Sequence, residues 1–186
     1  KADFTFYGGL YRMVKLVTVP ENHFCMEYAG SNGIKVTPEV TILDAGAKKA
    51  DAEVTVELWI EGKSADVMVT VGGEKKSVPV EHGYAKAVFD LTDVHLWDGV
   101  DDPYLYTAKA ELSDGDSVET TFGCRSFSID PQKGFFLNGR SYPLRGVSRH
   151  QDRAGAGNAL TNEMHREDME IIKELGANTI RLAHYQ

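Results

Sequence analysis

From Phe24 to about Ser128 the chain alternates apolar and polar residues with a period of two. Val54, Val56, Leu58 and Ile60 interleave with Thr55, Glu57, Trp59 and Glu61, and Val67, Val69 and Val71 repeat the pattern. Such alternation puts one set of side chains on each face of a strand, so every run must bury one face against another sheet. Turn formers at Gly30 to Gly33, Asp44 to Gly46, Glu61 to Lys63, Gly72-Gly73 and Asp114-Gly115 divide the stretch. Seven or eight short antiparallel strands in about a hundred residues predict an immunoglobulin-like β-sandwich over residues 21–129. Cys25 and Cys124 show neither CxxC nor CxxH spacing, and neither stands where that fold's inter-sheet disulfide needs a partner. They read as two ordinary thiols.

The flanks follow other rules. Phe4 to Val19 reads as strand, glycine turn and strand, ending at Pro20. Twenty residues cannot bury a core, so residues 1–20 are expected to be the tail of another domain. After Pro131, Asn138-Gly139 predicts a hairpin over Phe135 to Arg140. Tyr142 to Val147 reads as a strand and Ser148 to Leu160 as a polar loop. Thr161 or Asn162 can cap a helix that carries Met169, Ile171, Ile172 and Leu175 and stops at Gly176, and Asn178 to Ala183 follows as a second strand. This is a βαβ unit, which makes its two strands parallel. One helix cannot cover both faces of a parallel pair, so residues 130–186 read as the start of a larger α/β domain that is cut short.

Charge excludes some functions. A net charge of −8 and a pI near 5.2 give no basic footprint for nucleic acid or for an anionic membrane surface. No apolar run approaches the roughly eighteen residues of a membrane span, and the first residues lack signal-peptide order. The chain is expected to be soluble, with no membrane partner; its compartment is not legible.

Two histidines end closely matched segments, L-R-G-V-S-R-H at His150 and N-T-I-R-L-A-H-Y at His184. Each follows a strand of the βαβ unit, so both are expected at the same, C-terminal end of neighbouring parallel strands, where α/β barrels assemble their sites. Neutral imidazole can both donate and accept, which suits hydroxyl groups. Arg181 shares a strand face with Thr179 and Ala183, and on spacing alone it is a salt bridge between layers. Arg149 reads as structural, pairing with a carboxylate outside this chain. Glu163, Glu167, Glu170 and Glu174 have the spacing of a solvated helix face, and Asp152 reads as a loop acid. His23, His82, His95 and His165 show no partner, and no metal site is legible. Trp59, Trp97, Tyr104 and Tyr106 read as packing residues rather than sugar platforms.

These segments together resemble glycoside hydrolase family 2, most closely its β-galactosidase branch. Gly8-Gly-Leu-Tyr-Arg-Met-Val-Lys-Leu16 is similar to the closing strands of that family's N-terminal sugar-binding jelly roll. Leu96-Trp97, Pro103-Tyr-Leu-Tyr106 and Phe122-Gly-Cys-Arg-Ser-Phe127 are similar to the end of its immunoglobulin-like domain. Leu137-Asn-Gly139, Arg145-Gly-Val-Ser-Arg-His150 and Asn178-Thr-Ile-Arg-Leu-Ala-His-Tyr185 are similar to the beginning of its (β/α)8 barrel. Leu182 and Gln186 depart from the small residue and proline usual there, and Gln151 stands where many relatives have an acid.

The resemblance implies an internal stretch of a retaining hydrolase of terminal β-galactosides. Such a reaction needs a general acid/base and a nucleophile about 5 to 5.5 Å apart, which the resemblance assigns to two glutamates beyond Gln186. It makes His150 and His184 contacts to sugar hydroxyls and gives Arg181 the task of keeping the nucleophilic glutamate ionised. Magnesium or another divalent cation is implied for the whole enzyme, with ligands beyond Gln186. By itself the chain is expected to be inactive, and exposed edges of an incomplete barrel leave homo-oligomerisation open. Two alternatives stand beside this reading: a β-glucuronidase or β-mannosidase of the same family, and a non-catalytic β-sandwich that binds carbohydrate or mediates adhesion.

Overall fold

The computed structural model describes residues 8–11, 13–113 and 115–183, so Phe4 to Tyr7 of the expected first hairpin and His184 of the expected histidine pair lie outside the described residues. The chain divides into two compact units, Thr18–Tyr142 and a second that joins Lys1–Val17 to Pro143–Gln186.

The larger unit begins with β1 (His23–Phe24), β2 (Ile34–Asp44) and β3 (Lys49–Glu61), followed by β4 (Asp66–Val71), β5 (Glu74–Pro79) and β6 (Tyr84–Leu91). Next come β7 (Tyr106–Leu112) and β8 (Ser117–Phe122). β3 is the spine of one four-stranded sheet, antiparallel to β2 (Val36↔Val56) and β6 (Val54↔Phe89), with β1 against its far end (Phe24↔Ile60). The other sheet runs β5-β4-β7-β8, all antiparallel. Val54, Val56 and Leu58 are fully buried with Val67, Val69, Val71 and Phe89, the alternation expected of a sandwich. Each such side chain contributes about 1.5–3 kcal/mol by leaving water. Gly72 and Gly73, both at positive φ, form the two-residue turn from β4 to β5. Cys25 and Cys124 are free thiols, and burial pushes Cys124 up to about 11.

β9 (Phe127–Asp130), β10 (Gly134–Leu137) and β11 (Arg140–Ser141) form a small antiparallel sheet grouped with the sandwich. Leu137 pairs with Arg140 across Asn138 (φ 51) and Gly139 (φ 75), a two-residue hairpin with both central residues left-handed, as Asn-Gly predicts. Asn138 is also the tie between segments. Its Oδ1 accepts from Ser126 N (3.0 Å) and its Nδ2 donates to Trp97 O (3.0 Å), with the residue only 1% exposed.

In the smaller unit β12 (Gly146–Arg149) runs parallel to β13 (Thr179–Leu182), in the register Gly146↔Thr179 to Arg149↔Leu182, and α1 (Asn162–Glu174) connects them. Thr161 caps α1, accepting from Met164 N, and Gly176 (φ +79) turns the chain at its end. The first strand is displaced from the expected Tyr142–Val147. Tyr142 N donates instead to Phe135 O, Pro143 has no N–H, and Arg145 N and Pro143 O are both held by the Asn178 side chain. Pairing therefore starts only at Gly146 and runs on to Arg149.

The second strand expected before Pro20 is absent: residues 8–11 and 13–20 carry no strand, and Leu10 and Leu16 are 88% and 96% exposed. A strand with no neighbour has no ladder to complete.

Candidate functional site

The parallel pair brings its chemistry to one end. His150 follows the last residue of β12, is half-buried, and keeps Nδ1 out of solvent. Ala183 N donates to Arg149 O (3.1 Å), which carries the pairing one residue past β13. Arg181 is exposed on β13 and its Nη1 reaches Ser148 Oγ (3.3 Å) on the adjacent strand.

Arg149 does not wait for a distant carboxylate, as the sequence suggested. Its Nε donates to Asp168 Oδ2 on α1 (2.9 Å), its Nη2 binds the same oxygen, and Nη2 also meets His165 Nδ1 (3.0 Å). Arginine only donates, so Nδ1 is the acceptor and His165, expected to be partnerless, is not. The other oxygen, Oδ1, accepts from Arg153 Nη2 (3.0 Å), while Arg153 Nη1 binds Glu167 (2.6 Å). The hydrogen bond from Arg149, helped by the Arg149 and Arg153 charges, holds the Asp168 carboxyl below its usual range. Glu167 is thus a partner and not merely a solvated face. Sequence reading missed Asp168; the signal was a loop with an arginine on either side of His150-Gln151-Asp152, followed by an acid-rich helix.

A cleft of ≈ 850 Å³ lies beside this network, lined among others by Arg149, Gln151, Thr161, His165, Met169 and Leu182. His150 is not among the residues that line it, and the cleft runs between α1 and the strand pair. Among the described residues no group of three or more His, Cys, Asp or Glu could hold a metal. Nor is any helix long and apolar enough to cross a membrane among the described residues.

In the sandwich His23, His95, Trp59, Trp97 and Tyr104 are engaged by protein. His95 Nε2 lies 2.7 Å from Asp102 Oδ2 and its ring stacks on Tyr104, and His23 Nδ1 meets Pro20 O (2.9 Å), so both have partners that sequence reading did not find. Trp59 stacks on Tyr28, and Arg125 covers Trp97. A second unforeseen cluster centres on Asp98, which is buried and bound by Arg140 (2.6 and 2.5 Å) and Lys48 (2.7 Å).

Comparison with known proteins gives matches along the whole of this architecture. The family model described as glycosyl hydrolases family 2 matches residues 27–125, and that of the family 2 TIM barrel domain matches residues 129–186. A β-glucuronidase of Bacteroides fragilis is 38% identical, the match covering 98% of this chain and 28% of that protein. A β-galactosidase of Thermoanaerobacterium thermosulfurigenes is 29% identical, covering 98% and 26%. The crystal structure of an FMN-binding β-glucuronidase from Facaelibacterium prausnitzii L2-6 superposes with a TM-score of 0.88 at 43% identity, covering 100% of this chain and 29% of that one. The chain spans less than a third of the length of each of these relatives.

Proposed function

Because this chain belongs to glycosyl hydrolase family 2, we propose that it supplies one wall of the sugar site in a retaining β-glycosidase whose substrate is a terminal β-glucuronide. What carries the reading is His150 at the C-terminal end of β12 in a parallel pair, the end at which barrel enzymes gather their reacting groups. Imidazoles at 150 and 184 bind sugar hydroxyls and favour the flattened, oxocarbenium-like transition state. Arg181 attracts the nucleophilic carboxylate and keeps it ionised. The acid/base and nucleophilic glutamates, about 5 to 5.5 Å apart, belong to later barrel strands.

The sequence put β-galactosides first, with β-glucuronides as an alternative. Two of the relatives above, at 38% and 43% identity, are named β-glucuronidases, and the β-galactosidase stands at 29%. That ordering supports the glucuronide over the galactoside. The barrel-domain match over residues 129–186 favours a glycosidase over a non-catalytic sandwich.

The test is a comparison of 4-nitrophenyl β-D-glucuronide, β-D-galactoside and β-D-mannoside with the full-length protein that carries residues 1–186. The reading expects kcat/KM for the glucuronide to lead by more than about tenfold, a difference of about 1.4 kcal/mol in transition-state binding. A galactoside or mannoside in the lead overturns the substrate, and turnover of none overturns the glycosidase.

A further inference from the structure

We propose that Asp168 is a positioning residue that fixes the loop carrying His150, an inference that rests on the glycosidase reading. Arg149 and Arg153 stand on either side of His150-Gln151-Asp152, and both converge on this one carboxylate. Oδ2 takes Nε and Nη2 of Arg149, and Oδ1 takes Nη2 of Arg153. The tripeptide is therefore anchored at both ends to a single point on α1.

Further bonds fix the anchor itself. Arg153 and Gly157 exchange backbone hydrogen bonds (3.1 and 2.8 Å), and Arg153 also holds Glu167. The Arg149 side chain is only 9% exposed. Removing the carboxylate would leave a buried guanidinium with its charge uncompensated, and the loop would have to move to hydrate it. A hydroxyl-binding imidazole cannot follow that movement without loss, because a displacement of about 1 Å at a reacting centre costs about a hundredfold.

The experiment compares wild type, Asp168→Ala, His150→Ala and the double variant in the full-length enzyme, with 4-nitrophenyl β-D-glucuronide and with rates normalised to folded enzyme. Asp168→Ala is expected to lower kcat/KM by about ten- to a hundredfold, mostly in kcat, with KM changed less than about threefold. In the His150→Ala background the same change should cost less than about threefold, because the residue it positions is already gone. Asp168→Asn should also move the His150 ring resonances while leaving those of the sandwich in place. If Asp168→Ala does not fold, Arg153→Met replaces it, since the Arg149–Asp168 pair stays intact; it is expected to lose about tenfold with the same dependence on His150. Equal losses in both backgrounds, or no loss in either, overturn the proposal and leave the glycosidase reading standing. A wild type that cleaves no β-glycoside overturns both.

Discussion

Asp98 is 5% exposed and carries a charge that burial opposes. Burial pushes its carboxyl up, but hydrogen bonds from Lys48 and Arg140 together outweigh burial and hold it below the ordinary range. The two cations are not equal partners. Lys48 is 45% exposed, so Lys48→Ala should cost less than about 1 kcal/mol, the range of exposed pairs. Asp98→Ala removes the charge-assisted hydrogen bonds to both cations, which stay 45% and 40% exposed and can rehydrate, and is expected to cost about 1–2 kcal/mol, read from the denaturant midpoint. Asp98 and Asp168 both have folded pKa values lowered from the free-carboxyl value. Their contribution is full above the unfolded value near about 3.9 and is lost as pH falls through the depressed folded values. The thermal midpoint of the wild type should therefore drop more steeply as pH falls below about 4 than that of Asp98→Asn.

Asn138 makes the same point about what a sequence carries at this scale. Asn-Gly announced the turn because both residues must adopt positive φ, a property local to the pair. That the same side chain reaches Ser126 and Trp97 depends on residues 12 and 41 positions away. The Arg149–Asp168 pair spans 19 positions in the same way. No local pattern records such distances, and the sequence reading accordingly sent Arg149 to a partner outside the chain.

Elements were legible where their cause is periodic or sits at their ends. The valines of β3 and β4 needed only a period of two, and α1 needed only Thr161 and Gly176. Boundaries that depend on tertiary competition were not, as Pro143 and Asn178 show at the start of β12. The strand expected before Pro20 is likewise missing, since residues 8–11 and 13–20 have no ladder partner among the described residues. Pro38 sits in β2, a strand paired on one side only, where a residue without an N–H is tolerated and discourages edge association. The parallel pair depends on one close approach. A Cβ at Gly146 would lie 2.8 Å from Thr179 O, so Gly146→Ala should part β12 from β13. The expected outcome is faster amide exchange at Val147 to Arg149 with the sandwich core unchanged, measured by NMR.

At the scale of the molecule, the sandwich closes its own core, while the βαβ unit leaves apolar residues of α1 and β13 such as Ile171 and Leu182 exposed. A parallel pair is a wall and not a complete site, so residues 1–186 alone are predicted to hydrolyse no β-glycoside. Chromogenic turnover by the purified chain is the check, and any release above the uncatalysed rate contradicts it. The claim on which the rest depends is that this wall touches sugar. Its most direct measurement is kcat/KM for 4-nitrophenyl β-D-glucuronide with the full-length enzyme and its His150→Ala variant. A lost transition-state hydrogen bond of about 2–3 kcal/mol predicts a fall of about 30- to 160-fold; a variant within about threefold of wild type would contradict it.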